Sequence, residues 1–289
     1  MTTALPFTPS STNKVLSVDN TLVFPELSGT RTWFSADATS WAASSWIDWT
    51  DVSGRPLAYG IRFNGEMLFF ETSAESSYFF NFSKTADFLH WVNVGEFKVQ
   101  FENLAFDDPF SNFFYNMKMV VHGGAIRAFR MASGTTFVHR YSTTDGISWA
   151  DAETNLPYSS YISRIVSYAG YLFAIPSGNA TYKSVYRSAD GGISWECITT
   201  DWGVTSTTLV DCAVTSNGLM AVFYDKETWM SADGITWEKK SYTLPSGTGT
   251  LYNGVILPIG SNLFMVGCGT TKKNVFKLVD SSGPAAIPI

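Results

Sequence analysis

The sequence has few charged residues, and most of those are acidic. Charged residues make up 15% of the chain, against about a quarter in a typical soluble domain. There are 19 Lys and Arg residues and 25 Asp and Glu residues, which gives a net charge of -6. Proteins that bind nucleic acid concentrate Lys and Arg on one surface. We therefore predict no nucleic-acid partner.

The sequence also has few cysteines and lacks long apolar segments. Cys197, Cys212 and Cys268 are odd in number and have no CxxC spacing, which argues against a disulfide framework or a zinc site. No apolar run approaches the ~20 residues that cross a membrane, so we predict no membrane insertion. The opening MTTALPFTPSSTNK has neither the basic start nor the apolar core of a secretory signal. We expect synthesis in the cytoplasm without a signal peptide.

Known catalytic signatures are absent as well. The GxSxG, HExxH, P-loop and dinucleotide-binding patterns do not occur. His90, His122 and His139 do not have the spacing of metal ligands. We therefore predict no catalytic residue, no metal and no cofactor.

Short hairpins, by contrast, recur along the whole chain. In each, two apolar runs flank Asn-Gly, Gly-Gly or a similar pair, whose residues accept the positive φ of a tight turn. The pattern occurs at residues 14–24, 57–70, 117–131, 163–175, 209–224 and 254–266. A polar break and a third predicted strand follow each hairpin.

A second motif follows the third predicted strand in five of these repeats. It has Ser or Thr two residues before an Asp, and a Trp four or five residues after that Asp. The five pairs are Asp37 and Trp41, Asp87 and Trp91, Asp145 and Trp149, Asp190 and Trp195, and Asp233 and Trp237. By subtraction the Trp residues are 50, 58, 46 and 42 positions apart, a period typical of repeat architectures.

These patterns predict an all-β fold, a six-bladed β-propeller of four-stranded antiparallel blades. We expect residues 14–282 to form one domain, with an N-terminal arm at 1–13 and a C-terminal tail at 283–289. The sixth repeat has only three strands, so a terminal strand is needed to complete its sheet and close the ring. Residues 4–8 of the arm are favoured for this role over residues 283–289.

The octapeptide from Ser188 to Trp195 resembles the Asp-box, or BNR repeat, of sialidase-like β-propellers. The match is good around Asp145, Asp190 and Asp233, and it is weaker around Asp37 and Asp87, where Ala38 and Phe88 replace the turn glycine. The resemblance implies a propeller with each motif in the turn between third and fourth strands. We expect a structural role: the Asp accepts backbone hydrogen bonds, the Gly supplies positive φ, and the Trp fills the gap between sheets.

The catalytic residues of sialidases do not transfer to this sequence. The Arg-Ile-Pro signature is absent, and no arginine has a context that matches the arginine triad. Arg62, Arg127 and Arg164 lie on predicted strands, where we expect roles in charge pairing or at the surface.

The connections between successive blades are rich in aromatic and acidic residues. Their candidate ligand or partner residues are Trp46, Trp49, Asp51, Asp107, Asp108, Phe113, Tyr115, Tyr158, Tyr161 and Trp202. Three interpretations of these loops remain open. The aromatic residues pack within their own loops, or they bind a protein, or they bind a glycan.

For function, the leading interpretation is a non-enzymatic structural or adhesion protein. The low charge and the abundance of Ser, Thr, Gly and aromatic residues are similar to those of bacteriophage tail, fibre or capsid-attached proteins. Its partners would be other virion proteins, further copies of itself or a host-surface glycan. The alternatives are a lectin-like glycan-binding module and a sialidase-like glycoside hydrolase.

Overall fold

The computed structural model describes 25 strands and several of the turns that join them. The residues described are 2–4, 16–18, 21–25, 32–37, 39–44, 57–72, 79–86, 92–98, 117–130, 137–157, 162–177, 183–199, 201–205, 208–223, 225, 227–243, 255–259, 262–268 and 274–280. The chain divides into two compact units. The N-terminal unit comprises Thr8–Gly134 and His139–Ala152, and the C-terminal unit comprises Met1–Phe7, Thr135–Val138 and Glu153–Ile289.

Three blades begin in the N-terminal unit, and each has four strands that pair in chain order. The first blade contains β2 (Leu16–Val18), β3 (Thr21–Pro25), β4 (Thr32–Ser35) and β5 (Ala42–Ser44). The second contains β6 (Leu57–Phe63), β7 (Glu66–Thr72), β8 (Phe79–Thr85) and β9 (Val92–Lys98). The third contains β10 (Met117–His122), β11 (Ala125–Arg130), β12 (Phe137–Thr143) and β13 (Ala150–Pro157).

Two further four-stranded blades lie in the C-terminal unit and have the same strand order. The fourth blade contains β14 (Ile162–Tyr168), β15 (Tyr171–Pro176), β16 (Val185–Ser188) and β17 (Glu196–Thr199). The fifth contains β18 (Leu209–Thr215), β19 (Gly218–Phe223), β20 (Thr228–Ser231) and β21 (Glu238–Lys240). Antiparallel four-stranded blades are thus confirmed, and the fold is an all-β propeller.

The sixth repeat forms a different sheet, so the described residues form five blades of the predicted kind rather than six. Its consecutive strands are β23 (Val255–Ile259), β24 (Asn262–Cys268) and β25 (Asn274–Asp280). Two short strands pair with β25, namely β1 (Thr2–Ala4) and β22 (Tyr242–Thr243). β1 pairs with residues 274–276 and β22 with residues 279–280. The strand from the arm covers residues 2–4, whereas the sequence predicts residues 4–8.

The predicted hairpin turns explain why the strands end where they do. Asn64 and Gly65 have φ of 51° and 82°, and Ala169 and Gly170 have φ of 50° and 82°. Gly218 opens β19 with φ of 115°, and a Cβ there would overlap the carbonyl oxygen of Ser231. Only glycine therefore fits at position 218.

In the C-terminal unit the core lies between successive sheets. Blades four and five share a buried cluster that includes Phe173, Val185, Leu219, Phe223 and Trp237. A second cluster joins blade five to the last sheet through residues such as Met220, Ile256 and Met265. Within the described ranges we find no helix with the length and apolar character needed to cross a membrane.

Candidate binding surface

The segment from the Ser or Thr to the Trp of each motif, here called the Asp turn, is closed by its own carboxylate. In the Asp145 turn, Oδ1 accepts hydrogen bonds from the backbone N–H groups of Ile147 and Ser148, both at 2.7 Å. Asp233 Oδ1 accepts the equivalent bonds from Ile235 and Thr236, both at 2.8 Å. The Asp37 and Asp190 turns follow the same pattern. Asp87 and Trp91 lie outside the described residues.

The hydroxyl of the Ser or Thr at the start of the turn donates one hydrogen bond and accepts another. Thr143 Oγ1 donates to Asp145 Oδ1 at 2.8 Å and accepts from the backbone N–H of Gly146 at 2.9 Å. Ser188 makes the same pair of bonds in its turn, at 2.8 and 2.9 Å. A hydroxyl is required because one group must act as donor and acceptor at once.

These bonds favour the ionised carboxylate. Backbone N–H groups of Ile147 and Ser148 hold the pKa of Asp145 well below its usual range. For Asp233, partial burial favours the neutral form, but hydrogen bonds from Thr236, Ile235 and Ser231 outweigh it and lower the pKa. Each of these carboxylates therefore stays ionised to a lower pH than a free Asp and is bonded within its own turn.

The tryptophans that end the Asp190 and Asp233 turns are buried, and their indole N–H groups bond to the backbone of the turn. Trp195 is 6% exposed and its indole N–H donates to the carbonyl of Gly192 at 3.0 Å. Trp237 donates in the same way to Gly234 at 3.3 Å. Trp41 and Trp149 are half-buried.

In the C-terminal unit each Asp turn is also bonded to the preceding blade. The Asn155 side chain on β13 accepts from the backbone N–H of Trp195 at 2.6 Å and donates to the Trp195 carbonyl at 3.2 Å. Its backbone N–H donates to the carbonyl of Ile193 at 3.3 Å. The Asp233 turn accepts from Thr199 Oγ1 at Ile235 and from the Tyr168 hydroxyl at Ala232. These hydrogen bonds therefore join each of the two turns to the blade before it.

An exposed isoleucine stands at the tip of three Asp turns. Ile147 is 63% exposed, Ile193 43% and Ile235 39%. Among the described residues the exposed large hydrophobic side chains are these three and Val214. The Gly-Ile-Ser/Thr-Trp pattern was visible in the sequence, but only the structure distinguishes an exposed tip from a core position. None of the three isoleucines is among the surface residues predicted from the sequence.

The one described part of the predicted aromatic loops is packed inward. Trp202 is 5% exposed, and its ring lies 4.4 Å from that of Trp237 and 5.6 Å from that of Phe223, centroid to centroid. Trp202 therefore belongs to the core of blade five, and its assignment to a candidate ligand surface is corrected. The remaining loop candidates lie outside the described residues: Trp46, Trp49, Asp51, Asp107, Asp108, Phe113, Tyr115, Tyr158 and Tyr161.

Glu227 holds this loop in place and was not singled out by the sequence. Its carboxylate is buried and accepts hydrogen bonds from the Trp229 indole at 2.8 Å and from Thr205 Oγ1 at 2.8 Å. Lys239 Nζ lies 3.1 Å away and supplies the opposite charge. Glu227 lies at the end of the polar segment between the hairpin and the third strand. The local sequence there gives no sign that its side chain is buried.

A second charged network joins the first strands of three successive sheets. Arg164 Nε donates to Asp211 Oδ1 at 2.6 Å, and the backbone N–H of Ile256 donates to Asp211 Oδ2 at 2.8 Å. Arg164 thus has the charge-pairing role expected of strand arginines. Arg62 is exposed and Arg127 is half-buried, where burial lowers its pKa. Within the described ranges, no group of three or more His, Cys, Asp and Glu residues is placed to bind a metal ion.

With the fold and the turns described, comparison with known proteins identifies the class as a β-propeller. Residues 103–273, more than half of the chain, match the DUF6242 beta propeller domain. The chain therefore belongs to this family. No curated protein matches the sequence.

Solved structures with the same fold differ widely in sequence. A catalytically inactive virginiamycin B lyase from Staphylococcus aureus, solved with quinupristin, aligns with a TM-score of 0.57 and 11% identity, covering 96% of this chain and 99% of the lyase. A streptogramin B lyase aligns with a TM-score of 0.53 and 11% identity, covering 96% of this chain and 86% of the lyase. YCF48 bound to D1 peptide aligns with a TM-score of 0.51 and 13% identity, covering 97% of this chain and 95% of YCF48. At these identities the likeness establishes the fold alone.

Proposed function

We propose that this chain is a non-enzymatic, protein-binding propeller of the Asp-box type and a component of a bacteriophage particle. In this proposal it is virion-associated, on the tail, a fibre or the capsid. It contacts other virion proteins, further copies of itself or a host-surface glycan. The proposal gives the chain the same class of ligand as YCF48, which was solved with a peptide bound.

The Asp turns carry this proposal. Their carboxylates are engaged in hydrogen bonds within the turn, as for Asp145 and Asp233, and the Trp195 and Trp237 indoles are bonded to glycine carbonyls. Their isoleucine side chains are left at the surface. A repeated, rigid and apolar projection suits binding to another protein. The low content of charged residues in the sequence supports the virion assignment.

A glycan array followed by mass spectrometry of the bound sugars would separate the three functional classes. The proposal predicts that no sugar is cleaved and that the chain is recovered in purified particles. Retention of an intact sugar would favour a host-surface glycan as the partner, and no retention would favour a protein. Release of a shortened sugar would overturn the non-enzymatic assignment. Absence of the chain from particles purified on a density gradient would overturn the virion assignment.

We also propose that the last sheet takes the sixth place in a closed ring. Pairing of β1 with β25 supports this, because it joins the N-terminal residues to the final repeat. Deletion of residues 1–4 tests the idea, since it would uncover the outer edge of β25 at residues 274–276. We expect a Tm lowered by several degrees, and an unchanged Tm would overturn this part of the proposal.

A further inference from the structure

Blade three has an arginine where the other four blades bury an apolar side chain. In every blade the Ser or Thr that opens the Asp turn pairs with a residue of the second strand, and the next residue along that strand occupies an equivalent position. In four blades this position holds Val23, Leu68, Phe173 or Met220, each at most 5% exposed. In blade three it holds Arg127, which is half-buried. A repeat that breaks its own packing pattern marks a position where function outweighs packing.

The charge of Arg127 is buried without the support that a neighbouring arginine receives. The Nε atom of Arg127 is buried and has no hydrogen-bond partner among the residues that the structure describes. Burial lowers the pKa of Arg127. Burial also lowers the pKa of Arg130, but there the charge and hydrogen bond of Tyr141 and the charge of Asp151 act in the opposite direction. Burying a cation without a partner costs free energy, so this position favours an added anion.

Two polar side chains share the face of the sheet on which Arg127 lies. Ser142 on β12 is directly opposite Arg127 in the register and is half-buried. Val120 on β10 is opposite Arg127 on its other side, so His122, two residues along β10, lies on the same face at the diagonal position. Burial and the charge of Arg127 lower the pKa of His122, which shows that the two groups are close enough to interact.

The strands that carry these residues are basic, and the turn beside them is open. β10, β11 and β12 contain six basic residues and no Asp or Glu, in a chain with a net charge of -6. The hairpin turn next to His122 consists of Gly123 and Gly124, which are both exposed and have open space where a Cβ would lie. No side chain of this turn therefore separates the face from solvent. The basic residues are Lys118, His122, Arg127, Arg130, His139 and Arg140.

We propose that Arg127 and Ser142, bordered by His122, form a binding site for a small oxyanion of the phosphate or carboxylate class. The guanidinium supplies the positive charge, and its planar set of N–H donors matches two oxygens of either ion. The Ser142 hydroxyl supplies a further donor. This site lies on blade three and is independent of the protein-binding function proposed above.

Thermal unfolding of the full chain with added inorganic phosphate tests the site, with NaCl keeping the ionic strength constant. We expect phosphate at about ten times its Kd to raise the Tm by a few degrees. Sodium acetate is measured alongside at the same ionic strength. The ion with the larger effect identifies the class of ligand, and a Tm that responds to neither ion would overturn the proposal.

Arg127→Leu then locates the site, because it gives blade three the residue that blade two has at Leu68. By isothermal titration calorimetry we expect phosphate to bind about 10-fold or more weakly. The Tm in NaCl alone should be unchanged or higher, since the position becomes like that of the other blades. Arg62→Leu is the matched control, because Arg62 is exposed on β6, and it should bind phosphate as the wild type does. Wild-type affinity in Arg127→Leu would refute the site.

Ser142→Ala gives a second test that keeps the arginine in place. The variant loses one neutral donor, so we expect phosphate binding to weaken about 3-fold to 10-fold. It also decides the question if Arg127→Leu does not fold. Unchanged affinity in Ser142→Ala would show that the hydroxyl is not part of the site.

Discussion

The Asp145 and Asp233 turns have nearly the same sequence and the same hydrogen bonds at their carboxylate and hydroxyl groups, yet they pack differently. Gly146 and Gly234 have φ of 79° and 77°. A Cβ on Gly146 would lie 3.5 Å from Leu68 Cδ1 on the second strand of blade two, an ordinary contact. A Cβ on Gly234 would overlap the ring of Phe173, on the second strand of blade four. The motif thus fixes the turn itself, and the residue beneath it determines how closely the turn can pack.

Replacing the two glycines by alanine should separate backbone strain from packing, with the largest effect at position 234. Both variants place a side chain at positive φ, which costs about 1–2 kcal/mol. Gly234→Ala adds a clash of about 1–3 kcal/mol, so we expect a total of about 2–5 kcal/mol by urea unfolding. Adding Phe173→Leu should bring the cost of Gly234→Ala towards that of Gly146→Ala. Equal costs in the two single variants would contradict this account.

Removing the turn carboxylate should have an intermediate effect that does not depend on the packing beneath the turn. Asp233→Ala and Asp190→Ala each lose two backbone hydrogen bonds comparable with those of a helix cap, and we expect about 1–2 kcal/mol for each. Chemical unfolding measures this directly. Asp233→Asn is the matched control, because its amide oxygen retains an acceptor. An unchanged midpoint for both alanine variants would show that the carboxylates do not stabilise the fold.

The hydrogen bonds from the preceding blade to the Asp190 and Asp233 turns can be compared with each other within the C-terminal unit. Asn155→Ala removes an acceptor and a donor that serve the backbone of Trp195, and we expect about 1–2 kcal/mol. Thr199→Val removes only the single bond to Ile235, with an expected cost of about 0.5–1 kcal/mol. The ranking is the test, and a larger loss from Thr199→Val would reverse our view of which turn is more firmly attached.

Acid should weaken the turns modestly. The folded-state pKa values of Asp190 and Asp233 are lowered, so their contribution is complete above the unfolded pKa of about 3.9. It is lost as the pH falls through the folded value. We expect the free energy of unfolding to decrease below pH ~4, and to decrease less in Asp190→Ala. Because these carboxylates are exposed, the effect should be small. An identical acid dependence in the variant would contradict it.

Much of the fold follows from local signals in the sequence. The hairpin signal placed β6 at residues 57–63 and β10 at 117–122, because turn residues with positive φ fix both strand ends. The Asp and Trp spacing located the turns for a similar reason, since the bonds that the carboxylate and the hydroxyl make lie within seven or eight residues of sequence. The composition of the last sheet was not predictable in this way. β22 and β1 are too short to show alternation, and their partner β25 is distant in sequence.

The site was harder to predict than the fold, because exposure is set by distant residues. Trp202 looked like a surface aromatic residue, but the buried Glu227 binds Thr205 and Trp229 and so holds its loop over blade five. Ile193 and Ile235 carry no signal of exposure in the local sequence, and they lie at the surface. Asn155 has no motif of its own, and its role depends on a turn forty positions later.

The composite sheet has a consequence for the order of folding. The five four-stranded blades are built from strands that follow one another in the chain, so each can form soon after its residues are synthesised. The outer edge of β25 is covered by β1, roughly 270 residues earlier in the sequence, and by β22. This pairing must wait for the last repeat and must close a long loop. Until then β25 has an open edge that is prone to pairing with other chains, which makes this sheet the slow and vulnerable step of maturation.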